Sequence, residues 1–489
     1  MASFQALPFR NHFAELSAAF HERVHPTALP DPYLVAFNPD AADLLGLDHG
    51  AATDPDFLAL AAGNQVAPGV EPLAMAYAGH QFGVFVPQLG DGRAILIGDV
   101  TNAAGERWEL QLKGAGQTRF SRFGDGRAVL RSTIREYLCS EALAGLGIPT
   151  TRALSIVGSD APVLREEPET AAVLIRMAPT HVRFGSFEYF AARQRTDEIR
   201  ELADWVIGHF HPELAGREGR YAVWFLEVAE RTARLIASWM AVGWSHGVMN
   251  TDNMSILGWT IDYGPYGFLD DYDPGFICNH SDHDGRYAYN QQPGVGLWNV
   301  TRLAEALLPL ISEPEALVAL NRYQPLFEEE YARLMHAKLG LQQEREDDRS
   351  LIWALLQVLQ AGHVDYTRFF RLLADFDSRE GAETPALRQE CGHLHQFDAW
   401  AAKYGERLRV EGSVDAERAE RMRRVNPAYV LRNYLAERAI RMARDERDYT
   451  EIARLHDLLR DPFVERPGME DYFAAPPDWG RELVVSCSS

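Results

Sequence analysis

In HGVMNTDN, His246 to Asn253, an Asp-Asn pair closes a polar loop, and Asp262 follows in IDYG. An amide oxygen and a carboxylate separated by a short apolar run suit a hard divalent cation bridging phosphates, which takes oxygen ligands. Asn253 and Asp262 are therefore the candidate metal ligands, and Asp252 is a candidate general base toward a hydroxyl. A polar turn joining a helix to a strand would use the same residue types; Asp262 downstream favours the chemical reading. His246 reads as a packed histidine beneath the loop. Lys113 in ELQLKG can present its ammonium to phosphate oxygens, or lie in water at a strand end. Glu136 can orient Lys113, or complete a capping box with Thr133. Gly90-Asp91-Gly92-Arg93 and Gly124-Asp125-Gly126-Arg127 are turns that can bring backbone N–H groups to a phosphate. Arg93, Lys113, Arg119, Arg122, Arg127, Arg131, Arg176 and Arg183 fall in one third of the chain. Arginine suits bidentate phosphate contact, although a solvated basic face would look the same.

Such side chains need a frame. Residues 1 to about 70 mix Pro-rich turns with short helical patterns such as AADLLGLD, and strands are expected from about residue 71. RAILIGDV is the clearest strand, RWELQLK another, and TRALSIVGSD and AAVLIRMAP two more. Thr133 is expected to open a helix, STIREYLCSEALAGLG, that Gly147 and Pro149 close. MSIL, between Asn253 and Asp262, reads as a short buried strand. From about residue 195 the pattern turns helical, and beyond residue 300 almost wholly so. A strand-rich part followed by a helix-rich part predicts an α+β fold with a cleft as the default site.

The balance of 48 Lys+Arg against 70 Asp+Glu leaves a formal net charge of −22. So acidic a chain repels phosphate backbones, which argues against general nucleic-acid binding and makes the basic cluster stand out. No stretch offers the roughly 18 apolar residues of a membrane span. Cys139, Cys278, Cys391 and Cys487 form no CxxC pair, so neither a disulfide framework nor a structural zinc site is expected. MASFQALPFRNHFAEL does not read as a secretory signal, and the cytoplasm is the expected compartment.

A Gly-bearing hairpin, a strand Lys, a helix Glu, a His loop with Asn and an Asp-aromatic-Gly follow one another in the order of a protein kinase. Val248, however, stands two positions after His246, where a kinase keeps its catalytic Asp. Longer strings resemble the selenoprotein O family: YAGHQFGVFVPQLGDGRA, LQLKGAGQTRFSRFGDGRAVLRSTIREYLCSEA, HGVMNTDNMSILGWTIDYGPYGF and the terminal Cys-Ser-Ser. The resemblance covers essentially the whole chain, and Val248 fits it. It implies a protein-kinase-like two-lobed fold: an N-terminal extension at 1–70, a strand-rich N-lobe at 71–180, a helical C-lobe at 181–320 and a helical C-terminal extension at 321–489. It implies transfer of AMP from ATP to Ser, Thr or Tyr hydroxyls of proteins with release of pyrophosphate, and of UMP from UTP if the base pocket is loose. ATP would lie reversed relative to a kinase, its outer phosphates toward the basic cluster. Gly90, Gly92, Arg93, Lys113, Asp125, Gly126, Arg176, Arg183 and Asp262 would bind the nucleotide, and Glu136 would orient Lys113. Asp252 would accept the proton, and Asn253 and Asp262 would hold Mg2+ or Mn2+. Some eukaryotic members carry selenocysteine where Cys487 stands, which suggests a redox-active thiol with Cys278 as its disulfide partner. The expected partners are hydroxyl-bearing protein substrates, with no nucleic acid and no membrane, and the expected state is a monomer. Two rivals stay open: an atypical kinase transferring the γ-phosphoryl group, and a nucleotide-binding scaffold without turnover.

Overall fold

The computed structural model describes residues 3–392 and 395–485. Its first 180 residues build an antiparallel sheet. In chain order the strands are β1 (His21–Arg23), β2 (Tyr33–Phe37), β3 (Leu73–Met75), β4 (Gly79–Gln81), β5 (Val84–Val86), β6 (Ala94–Thr101), β7 (Arg107–Lys113), β8 (Ala128–Val129), β9 (Arg152–Leu164) and β10 (Pro168–Ala178). The main sheet runs β1-β3-β6-β7-β10-β9-β2, with β8 also paired to β10, while β4 and β5 form a separate hairpin. Strands therefore begin well before residue 71. The Pro-rich opening segment hides β1 and β2 from periodicity because each is only a few residues long, yet they close the two ends of the sheet.

Both faces of the sheet are covered. Ile95, Leu110, Leu112, Val173 and Ile175 pack against Leu29, Leu45, Phe57 and Leu60 of the opening segment. Leu96, Ile156 and Leu174, on the other face, belong to the core that Ile134, Tyr137 and Leu138 of the helix Leu130–Gly145 enter. That helix starts three residues before the expected Thr133, with Val129 at its cap. The Thr133 hydroxyl donates to the Leu130 carbonyl at 2.8 Å, so no capping box forms and Glu136 is free for another partner.

Beyond residue 195 the chain is mostly helical as expected, apart from the loop region that follows Gly243, where Trp244–Ser245 pairs with Gly267–Phe268. The helix Arg220–Val242 packs along the helix Glu313–Lys338. Gly243, at φ +72°, ends the first of these in the left-handed conformation that glycine adopts without steric cost, and its N–H caps the Trp239 and Met240 carbonyls. The chain then drops into the His246–Asp262 loop. MSIL is not a strand: Met254 and Ser255 make only isolated bridges, to Thr260 and Arg183. Burial alone looked like a strand, but the segment is too short and too turned for a ladder. Among the described residues, no helix is long and apolar enough to cross a membrane.

Candidate active site

β7 inverts the usual alternation. Trp108, Leu110 and Leu112 face one core, and Glu109, Gln111 and Lys113 on the opposite face are buried too. Buried polar groups need partners, and each has one. Glu109 accepts from the His181 amide at 2.7 Å. Gln111 lies directly across from Arg176 on β10 and accepts from its Nε at 2.6 Å. Lys113 forms an ion pair with Glu136, and Arg176 reaches the same carboxylate at 3.4 Å. Burial pushes the Lys113 ammonium below its usual range, while Glu136 pulls it back up.

The two glycine turns stack in front of this wall. Gly90 has φ +87°, and a Cβ there would lie 2.4 Å from the Phe120 ring. The Ser121 hydroxyl donates to the Gly92 carbonyl. Gly126, at φ +72°, sits so close to Gly116 that a Cβ would come 2.1 Å from its carbonyl carbon. Asp125 is exposed and held by the Arg165 guanidinium at 2.8 and 3.0 Å, which keeps its carboxyl below the usual range.

The loop from His246 closes the opposite side. His246 is buried as expected, its Nε2 3.0 Å from the Ile261 carbonyl, against Trp239 and Trp244. Asp262 takes φ +58°, and its two carboxylate oxygens pair with Arg176 and Arg183. Burial alone would raise this carboxyl, but Arg176, Arg183 and Lys113 hold it well below the usual range. Arg183 also donates to the Asp252 carbonyl at 2.7 Å and lies over the Tyr77 ring. The β4–β5 hairpin grips three consecutive loop residues. The Phe82 amide donates to Asn250 Oδ1 at 3.1 Å, the His80 amide to Thr251 Oγ1 at 2.7 Å, and Gln81 Nε2 to Asp252 Oδ2 at 3.3 Å. Asp252 Oδ1 is buried with no partner. Burial pushes the Asp252 carboxyl up to about 7, against the pull of Arg183 and Gln81. Asn253 donates its Nδ2 to the Val248 carbonyl at 2.9 Å, which leaves Oδ1 as the atom that could face a cation. An amide oxygen beside a carboxylate is the hard-oxygen donor set that Mg2+ or Mn2+ takes.

These parts face one cavity of about 620 Å3. Its lining includes Gly90, Gly92, Arg93, Lys113, Asp125, Gly126, Arg176, Asp252, Asn253 and Asp262. Glu136 and Arg183 stand behind it, paired with the lining residues Lys113 and Asp262. The basic cluster splits: Arg122 and Arg127 also line the cavity, whereas Arg131 pairs with Glu169 at 2.8 Å and Arg119 lies over Phe120, outside the lining. The sequence pattern singled out Asp91 only as part of a turn and did not single out Gln81, Gln111 or Arg165; a polar residue inside the apolar run LQL was the available signal for Gln111. Cys278 is buried, its Sγ 3.6 Å from Ser245 Oγ, and burial pushes its thiol up to about 12. The nearby His280 amide donates to the Val485 carbonyl at 2.9 Å, so the tail runs beside this segment; Cys487 itself lies outside the described residues.

Residues 3–460 match the family model described as Protein adenylyltransferase SelO. Over the full length of both chains, the sequence is 59% identical to a protein nucleotidyltransferase YdiU of Myxococcus xanthus. It is 56% identical to the protein of that name from Thiobacillus denitrificans and 50% identical to that from Azotobacter vinelandii, again along both whole chains.

Proposed function

Since the chain belongs to the SelO family and is a protein nucleotidyltransferase, we propose that it transfers AMP from ATP to Ser, Thr or Tyr hydroxyls of other proteins. One observation carries this reading: a base candidate, an oxygen-donor pair and a row of cations line a single cavity. ATP lies with its outer phosphates toward Arg93, Lys113 and Arg176, and its α-phosphorus toward Asp252. The acceptor hydroxyl gives its proton to Asp252 Oδ1, the oxygen with no protein partner, and its oxygen attacks the α-phosphorus in line. The bond to the bridging oxygen breaks, and pyrophosphate leaves with its new charge facing the Lys and Arg donors, which stabilise it. Asn253 and Asp262 would hold Mg2+ or Mn2+, which when bound would neutralise further charge at the phosphates. The frame is read as two kinase-like lobes, the sheet forming one and the helices around the His246–Asp262 loop the other. A Cys278–Cys487 disulfide would tether the tail to the segment that His280 already links to Val485.

The test is two parallel incubations with an acceptor protein and divalent metal, one with α-labelled and one with γ-labelled ATP. Label on protein from α and not γ, lost in Asp252→Asn, is the expected result. Label from γ alone would make the chain a kinase. ATP binding without label from either would leave a scaffold.

A further inference from the structure

GDGR occurs twice, and the two copies use their aspartates differently. Asp125 is exposed and tied to Arg165. Asp91 is 1% exposed and sits at a crossing of four bonds. Its amide donates to the Met75 carbonyl at 2.9 Å, and its Oδ2 accepts from the Met75 amide at 3.0 Å, which pins the turn to β3. Its carbonyl accepts from the Thr118 hydroxyl at 2.7 Å, which pins the second glycine loop to the first. The same Oδ2 accepts from Gln111 Nε2 at 2.8 Å.

Gln111 continues the line inward. Its Oε1 accepts from Arg176 Nε at 2.6 Å, and Arg176 Nη1 donates to Asp262 and Glu136. Two of the three guanidinium nitrogens are thus fixed by protein, and among the described residues Nη2 has no protein partner. Arg176 lines the cavity, so Nη2 is the nitrogen left for a ligand oxygen. A guanidinium is planar, so fixing Nε and Nη1 fixes the direction of Nη2.

We propose that Asp91 and Gln111 are positioning residues for nucleotide binding: they lock Arg176 with one N–H pair aimed at a phosphate and couple that aim to the Gly90–Arg93 turn. The link must be an amide. Gln111 accepts from an arginine at one end and donates to a carboxylate at the other, which neither Glu nor Leu can do. An uncharged link also orients Arg176 without adding a third carboxylate to it. This inference rests on ATP occupying the cavity, as proposed above.

The test is a double-mutant cycle on the full chain, with ATP and Mn2+ binding read by calorimetry and folding by Tm. Gln111→Leu is expected to weaken ATP roughly tenfold, the scale of one lost charge-assisted hydrogen bond. In an Arg176→Ala background it is expected to change affinity by less than about twofold, because the residue it positions is gone. Asp91→Asn keeps an accepting oxygen for Met75 and Gln111, so it is expected to bind ATP like the parent, whereas Asp91→Ala follows Gln111→Leu. Gln111→Met, of similar volume, replaces Leu if Tm reports unfolding. Equal losses from Gln111→Leu in both backgrounds, or none in the parent, would overturn the relay. Unchanged ATP affinity in Arg176→Ala alone would overturn the nucleotide placement itself, and the relay with it.

Discussion

Asp262 illustrates how much one residue is asked to do. It pairs with two arginines and adopts a left-handed backbone, which Asn and Asp tolerate and Ala does not. Asp262→Asn is expected to abolish metal-dependent transfer and to lower Tm by leaving Arg176 and Arg183 facing each other. Asp262→Ala should lower Tm further, by the equivalent of about 1 kcal/mol of backbone strain. Calorimetry that ranks Ala above Asn would contradict this. Asp252→Asn should cost on the order of 10²–10⁴ in turnover with ATP affinity retained, measured by single-turnover labelling and titration. Glu188 gives a pH prediction. Its Oε1 lies 2.5 Å from His80 Nδ1. Burial pushes the carboxyl from the ordinary 4.5 up to about 7 and the imidazole down, so the neutral pair is favoured. A folded-state pKa above the unfolded one gives stability that is full below the unfolded value and is lost as pH rises through about 7. The loss has an upper bound near 3 kcal/mol. Buried Asp252, pushed up to about 7, shares the window, and burial shifts Asp91 in the same direction. Glu188→Gln keeps a neutral partner, so its Tm should fall less steeply than the parent's between about pH 5 and 8; parallel Tm curves would show that Glu188 does not titrate as stated.

At the scale of elements, both glycine turns are fitted tightly against the connecting loop at 116–121, which no sequence pattern announces. Gly126→Ala must displace Gly116, so ATP is expected to bind at least about tenfold more weakly for a stability loss of roughly 1–3 kcal/mol. Equal ATP affinities in titrations of parent and variant would count against this. The sequence made β6, β7, β9 and β10 legible because they are long and apolar, and β7 because it also alternates in residue type. It made Lys113, Glu136, Asp252, Asn253 and Asp262 legible because their order and residue types match a chemical task. Local pattern could not reveal that Glu109, Gln111 and Lys113 face inward: alternation says which residues share a face, and only the helix laid across that face makes it buried. Nor could it reveal that the Gly79–Val86 hairpin holds the loop at 250–252, a contact between segments far apart in the chain.

At the scale of the whole molecule, the opening segment is structural. β1 and β2 stand at opposite ends of the main sheet, and Leu29, Leu45 and Phe57 fill one of its faces. Removing the first 40 residues should therefore unfold the chain and not trim it. A truncated protein with a cooperative calorimetric transition would refute this. The same arrangement has a consequence in time. Tyr33 of β2 pairs with Gly158 of β9, so during synthesis, at ~5–20 residues per second, β2 spends on the order of ten seconds outside the ribosome before its partner exists. Its bare edge is then open to any other strand in reach. The short length of β2 and the prolines before it, which hid it from the sequence reading, also make it a poor template for the wrong partner during that wait.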